Sequence, residues 1–208
     1  MTELREHWQA AYTSKSAEQR SWSDQADTSF GLVHKHAPNP NLSIVDVGGG
    51  ASPLAVKLIT AGYNDVTVVD ISQQALDEAR TGGEATGVGT AIEHVKWVCT
   101  DVRTWQPNCT YDVWHDRAVL HFLVDEAERV AYSRLAATSM RPSGILIVAT
   151  FSEDGPEACS GLPVRRSTHD ELLLLFGSSF TEIERFREEH YTPWGSVQPF
   201  NWSVFRRS

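Results

Sequence analysis

Residues 45–59 read VDVGGGASPLAVKLI: an apolar strand-like run, three glycines, then a helix-like pattern opening at Pro53. A tight glycine turn that joins a buried strand to a helix constrains the fold more than any other stretch. It belongs to architectures in which helices cover a parallel sheet. The rest of the chain repeats the same alternation. Strands are predicted at Leu42–Val47, Val66–Asp70, Val95–Thr100, Tyr111–His115 and Ile145–Thr150, and helices at Pro53–Ala61, Ser72–Thr81, Arg117–Leu123 and Asp125–Thr138. The strands are nearly continuously apolar, as expected where helices cover both faces of a sheet. The glycine-rich TGGEATGVGT after the second strand reads as a mobile loop.

Flanking segments extend the pattern. Helices are predicted over Glu3–Tyr12 and Thr28–Lys35. Thr168 and Glu171 have the spacing of a capping box at the start of another. Two extended runs, Phe180–His190 and Gln198–Arg207, flank the turn-forming TPWGS. The predicted fold is an α/β doubly wound sheet, mostly parallel, with a C-terminal antiparallel strand pair and helices on both faces. With 208 residues, 41% hydrophobic, it reads as one domain.

Composition removes several function classes. Lys and Arg total 18 against 27 Asp and Glu, a net charge of −9. Nucleic-acid binding draws on phosphate neutralisation, so this balance argues against a nucleic-acid partner. No apolar run approaches the roughly 20 residues of a membrane helix, and the charged, aromatic MTELREHWQA is unlike a signal peptide. No membrane partner is expected, and a cytoplasmic location is. Cys99, Cys109 and Cys159 lack the density of a disulfide scaffold and the pairing of a zinc site, so reduced thiols and no metal are expected.

The glycines point to a ligand that lies against bare backbone. A dinucleotide fingerprint, G-x-G-x-x-G, would place a third glycine where Pro53 stands. Asp46, two places before Gly48, would repel a pyrophosphate and attract an ammonium group. Asp70 closes the run DVTVVD, where such folds hold ribose hydroxyls with a carboxylate. An ammonium, a ribose and no pyrophosphate describe S-adenosylmethionine.

With these residues in view, the chain resembles the class I S-adenosylmethionine-dependent methyltransferases over nearly its whole length. VDVGGGASPLA is similar to their glycine-rich first motif, VVDIS to the acidic end of the second strand, CTDVRTW to the adenine-contacting segment and YDVWHDRAVLHFL to the fourth-strand motif. HWQAAYTSKSAEQRSW is similar to an aromatic-rich entry segment of a small bacterial branch. The resemblance implies a Rossmann-like domain over 1–208, with a helical lid segment (1–40), a cofactor-binding core (41–151) and an acceptor-side loop, helix and hairpin (152–208). It implies that Asp46, Gly48, Gly49 and Gly50 meet the methionine part of the cofactor, Asp70 the ribose, and Ile71, Asp101 and Val102 the adenine. Trp8, Tyr12 and Trp22 would form a lid or ordinary packing. His115, Asp116 and Arg117 would lie near the transferred methyl group.

The acceptor is read from the same segment. A sulfonium methyl is already activated, so positioning carries most of the acceleration, and a base helps only an acceptor that must lose a proton. His115 and His121, beside Asp116 and Arg117, are the candidate bases. Asp116-Arg117-Ala118 is similar to the triplet of methyltransferases acting on thiols and on selenium or tellurium compounds. Cys159 and Arg165, in the polar loop after the fifth strand, are candidate acceptor contacts. The expected activity is methyl transfer to a small molecule, a thiol, sulfide or other chalcogen, with S-adenosylhomocysteine as product, in a monomer or homodimer. A protein-lysine methyltransferase and a non-catalytic binding module are the alternatives. Asp46 and Asp70 have no purpose in a pure scaffold.

Overall fold

The computed structural model describes residues 3–14, 16, 19–21, 25–85 and 89–208. Five parallel strands form its centre: β1 (Ser43–Val47), β2 (Asp65–Asp70), β3 (Lys96–Cys99), β4 (Tyr111–Arg117) and β5 (Met140–Phe151). A two-residue pair, β6 (Ala158–Cys159) and β7 (Leu162–Pro163), stands apart from the main sheet. Strands β8 (Phe180–Tyr191) and β9 (Val197–Arg207) complete an order of β3-β2-β1-β4-β5-β9-β8. Strand β9 is antiparallel to both its neighbours, so β8 runs in the direction of the central strands.

Helices α1 (Glu3–Ser14), α2 (Asp27–His36), α3 (Leu54–Thr60), α4 (Gln73–Ala85), α5 (Glu126–Ser139) and α6 (His169–Phe176) lie beside this sheet. Successive residues of a strand face opposite sides, and here they feed two separate cores. Ile44, Val66, Val68 and Val113 pack with Leu32 of α2, Leu58 of α3 and Leu76 of α4. Val45, Val47, Val69 and Trp114 pack with Tyr132 and Ala136 of α5 and Leu172 and Phe176 of α6. This parity decides which polar side chains can share a site.

Local chemistry explains most element ends. Pro53, with φ −76°, precedes Leu54 at the start of α3, where its missing N–H costs no hydrogen bond. Asp125 caps α5 by accepting from the amides of Ala127 and Glu128. Thr168 and Glu171 form the expected capping box on α6. Part of the stretch expected as a mobile loop is helical, since α4 runs to Ala85. A Cβ on Gly83 would stand 2.6 Å from Ile92 Cγ1, so glycine there admits the 3-10 turn Gly89–His94.

The helix expected over Arg117–Leu123 does not form. Strand β4 continues through Arg117, paired with β5 as far as Ala149. Ala118 then adopts φ +71° and turns the chain out of the sheet. Only a 3-10 turn, Leu120–Phe122, follows, and Asp116 caps it by accepting from the amides of Val119 and Leu120. Among the described residues no helix is long and apolar enough to cross a membrane, and no cluster of three or more His, Cys, Asp and Glu could hold a metal ion. The three cysteines are free thiols.

Candidate functional site

A crevice opens at the carboxyl ends of β1, β2 and β4, the place where ligands collect in such sheets. Its floor is the glycine turn after β1. Gly48 and Gly50 have φ of +67° and +43°, a left-handed backbone that disfavours side chains. A Cβ on Gly49 would lie 2.5 Å from Asp46 Oδ2, and one on Gly50 2.6 Å from the Tyr12 hydroxyl and 3.0 Å from Asp70 Oδ2. A side chain at Gly49 would collide with the Asp46 carboxylate, and one at Gly50 would crowd Tyr12 and Asp70.

Strand parity brings Asp46, Asp70, His115 and Arg117 to one face. Asp70, 8% exposed, accepts a 2.8 Å hydrogen bond from the Ser72 amide. Burial, aided by the nearby Asp46 charge and opposed by backbone N–H donors, pushes its carboxyl up to about 7. Asp46 and His115 are register partners on β1 and β4, and Asp46 Oδ1 lies 2.7 Å from His115 Nδ1. Both side chains are almost fully buried, and both line the crevice. Arg117 lines it too, with its guanidinium 4.9 Å from the centre of the Phe200 ring.

Other expected contacts also reach the crevice. Ile71, Asp101 and Val102 border it on the β2 and β3 side. Arg103 shares the Asp101 carboxylate through a 2.6 Å ion pair. Burial raises that carboxyl, but the hydrogen bonds from Arg103 outweigh burial and hold it below its usual range. Trp8 and Tyr12 line the crevice from α1, Trp8 edge-on to Phe122 at 5.1 Å. Trp22 lies outside the described residues. Cys159, 6% exposed, borders the crevice from β6.

Three expected residues stand elsewhere. Asp116 follows Trp114 to the opposite face, where it is fully buried and accepts from the Tyr132 hydroxyl. Burial pushes its carboxyl up to about 6 against the pull of these donors. His121 is wholly buried behind Phe122, with its ring 4.4 Å from Phe122 and 4.7 Å from Phe151. Burial and the charges of Arg117 and Arg129 push its imidazole down to about 3, so it is neutral and an ineffective base at physiological pH. Arg165 is engaged by Glu126 and does not line the crevice.

The structure adds a network that no local pattern announces. Arg20, 4% exposed, donates to both carboxylate oxygens of Glu78 on α4, at 2.6 and 2.9 Å, and to the Tyr12 carbonyl. Its guanidinium also sits 4.6 Å from the centre of the Tyr12 ring. Gln9 accepts from Ser72 Oγ at 3.1 Å, tying α1 to the start of α4. Arg20 and Glu78 are 58 positions apart, so only the tertiary fold brings them together.

Known proteins with related sequence or shape fit this geometry. Residues 44–144 match the family described as "Methyltransferase domain". The tRNA 5-carboxymethoxyuridine methyltransferase of Escherichia coli (strain K12) is 28% identical over 114 residues, 55% of this chain and 42% of that enzyme. The matched region is thus less than half of that relative's length. A crystal structure of Burkholderia thailandensis 1,6-didemethyltoxoflavin-N1-methyltransferase, with bound 1,6-didemethyltoxoflavin and S-adenosylhomocysteine, has a TM-score of 0.77 at 21% identity, covering 99% of this chain and 87% of that one. A structure described for the conversion of a disulfide bond into a thioacetal group during echinomycin biosynthesis has a TM-score of 0.73 at 21% identity, covering 100% and 93%. Sheet order and glycine turn agree with the fold of these structures, and residues 44–144, just under half of the chain, match a methyltransferase domain.

Proposed function

We propose that this protein binds S-adenosylmethionine in the crevice and methylates a small-molecule nucleophile, a thiol, sulfide or other chalcogen foremost. The observation that carries the reading is the side-chain-free turn Gly48–Gly50 set between two buried carboxylates, Asp46 and Asp70. The residues fit the cofactor. Asp70 suits the ribose hydroxyls, Asp46 the amino-acid end, and Ile71 and Val102 the faces of the adenine. When bound, the cofactor supplies an electrophilic methyl group on a cationic sulfur.

The chain's own contribution is to bind, orient and exclude water. Trp8 and Tyr12 line the crevice from α1, while His115, Arg117 and Cys159 border the rest of it, where an acceptor would lie. The small-molecule class is supported by the toxoflavin-precursor enzyme and by the sulfur chemistry named for the echinomycin structure. The Escherichia coli relative is named for a tRNA substrate, but a net charge of −9 disfavours RNA here.

The test is calorimetry with S-adenosylhomocysteine, followed by a coupled assay for its release over a panel of thiols, sulfide, selenite, phenols and small amines. Saturable binding below millimolar concentration and turnover with a chalcogen are expected. No binding would remove the proposal, and turnover with amines alone would replace the acceptor class.

A further inference from the structure

Resting on that reading, we infer that Asp46 is a positioning residue that fixes His115 as a general base through its Nε2, and that the acceptor is a nucleophile that arrives carrying a proton. The inference begins with the 2.7 Å contact between Asp46 Oδ1 and His115 Nδ1. An ionised carboxylate only accepts, so Nδ1 must donate, and in the neutral ring Nε2 holds the lone pair. A carboxylate that sets a histidine tautomer also stabilises the imidazolium formed on protonation.

Burial sharpens the assignment. His115 is 3% exposed, and its Nε2 is buried without a hydrogen-bond partner among the described residues. A buried polar atom left without a partner is costly, and an incoming X–H group would satisfy it. The ring borders the crevice and rests at a tilt on Trp202, 6.2 Å between centroids, so its orientation is fixed from the side as well as from Asp46. Asp116 lies on the other face and His121 is outside the crevice, which leaves His115 as the histidine placed to work there.

The step balances simply. The acceptor atom forms its bond to the methyl carbon with its own electron pair, and the sulfur keeps the pair of the bond that breaks. The proton shed by the acceptor passes to Nε2 and then to solvent. Thiols, selenols, phenols and ring N–H groups fit this requirement. A thioether carries no such proton and gains nothing from the base.

Two measurements test the inference. Nitrogen-15 NMR of the ligand-free wild type should show His115 as the Nδ1–H tautomer, and Asp46→Asn should relax that preference. His115→Gln, assayed over thiols and phenols of rising pKa, should lose about 10²–10⁴-fold in kcat/KM with the least acidic acceptors. It should lose less than about tenfold with the most acidic ones, which ionise unaided, while S-adenosylhomocysteine affinity stays within twofold. An Nε2–H tautomer, or equal losses across the series, would overturn it. Failure of the wild type to bind S-adenosylhomocysteine overturns the methyltransferase reading instead, and the tautomer, read without ligand, tells the two failures apart.

Discussion

Asp70 shows how a single side chain can serve a ligand at a cost to the fold. Its carboxyl titrates near 7 because burial resists the charge, whereas the same group in an unfolded chain titrates near 3.8. The folded state therefore holds a proton that the unfolded state has lost between about pH 4 and 7. Its contribution to stability is present below that window and is lost as pH rises through it. Asp70→Asn removes the penalty: the ligand-free variant should melt higher than wild type at pH 8, with the gain gone at pH 4. The same change should weaken S-adenosylhomocysteine binding by about 1–3 kcal/mol, the range for an unmet hydrogen bond. Calorimetry at pH 8 checks both, and unchanged affinity would place the ribose elsewhere. Asp116 differs in what it holds. Because it accepts from Tyr132 and from the amides of Val119 and Leu120, Asp116→Ala should leave those donors unmet, lower stability by about 1–3 kcal/mol and leave affinity within twofold. A large loss of affinity would show that this buried carboxylate reaches the ligand after all.

Where elements meet, α1 depends on a few polar ties to α4. Gln9 reaches Ser72, and Arg20 is clamped by Glu78 while its guanidinium rests on Tyr12. Glu78→Gln would leave a buried guanidinium with a weaker acceptor, so α1 should loosen. Hydrogen exchange of α1 amides should rise while β1 and β4 stay protected, and S-adenosylhomocysteine affinity should fall about tenfold, or 1.4 kcal/mol. Unchanged α1 exchange would mean that Gln9 and Trp8 suffice. These ties also mark what the sequence could and could not reveal. Asp46, Gly48, Gly50 and Asp70 were legible because one strand-turn-helix-strand unit spaces them locally. The Asp46–His115 pair was not, because it depends on the register of strands 69 positions apart. Asp116 was misplaced for a related reason. In VWHDR every position is apolar or potentially functional, so a strand covered on both faces offers no alternation to say which way a carboxylate points. Arg117–Leu123 read as a helix because a short apolar run cannot be told from one by periodicity. Only the sheet pairing and the left-handed Ala118 settle it.

The crevice draws its lining from α1 and from the ends of β1, β2 and β4 together, so filling it should stabilise the molecule as a whole. The glycine turn lies close to Val119, Tyr12 and both carboxylates, which draw on β1, β2, the turn after β4 and α1 together. A ligand held there binds only the folded state. At a concentration of 100 times its Kd it should add about 2.7 kcal/mol. For a chain of 208 residues that corresponds to a rise in Tm of roughly 5–10 °C. The rise should also depend on pH. Ribose hydroxyls are better bound by an ionised Asp70, which the ligand-free protein reaches only near pH 7. At one fixed S-adenosylhomocysteine concentration, the shift in Tm should therefore grow as pH rises from 6 to 8. In Asp70→Asn that growth should vanish while a smaller shift remains, because the neutral amide has no charge to acquire. Thermal scans with and without ligand at the two pH values decide the matter. A wild-type shift that is equal at both would mean that the carboxylate is already ionised before binding, or that the ligand does not meet it.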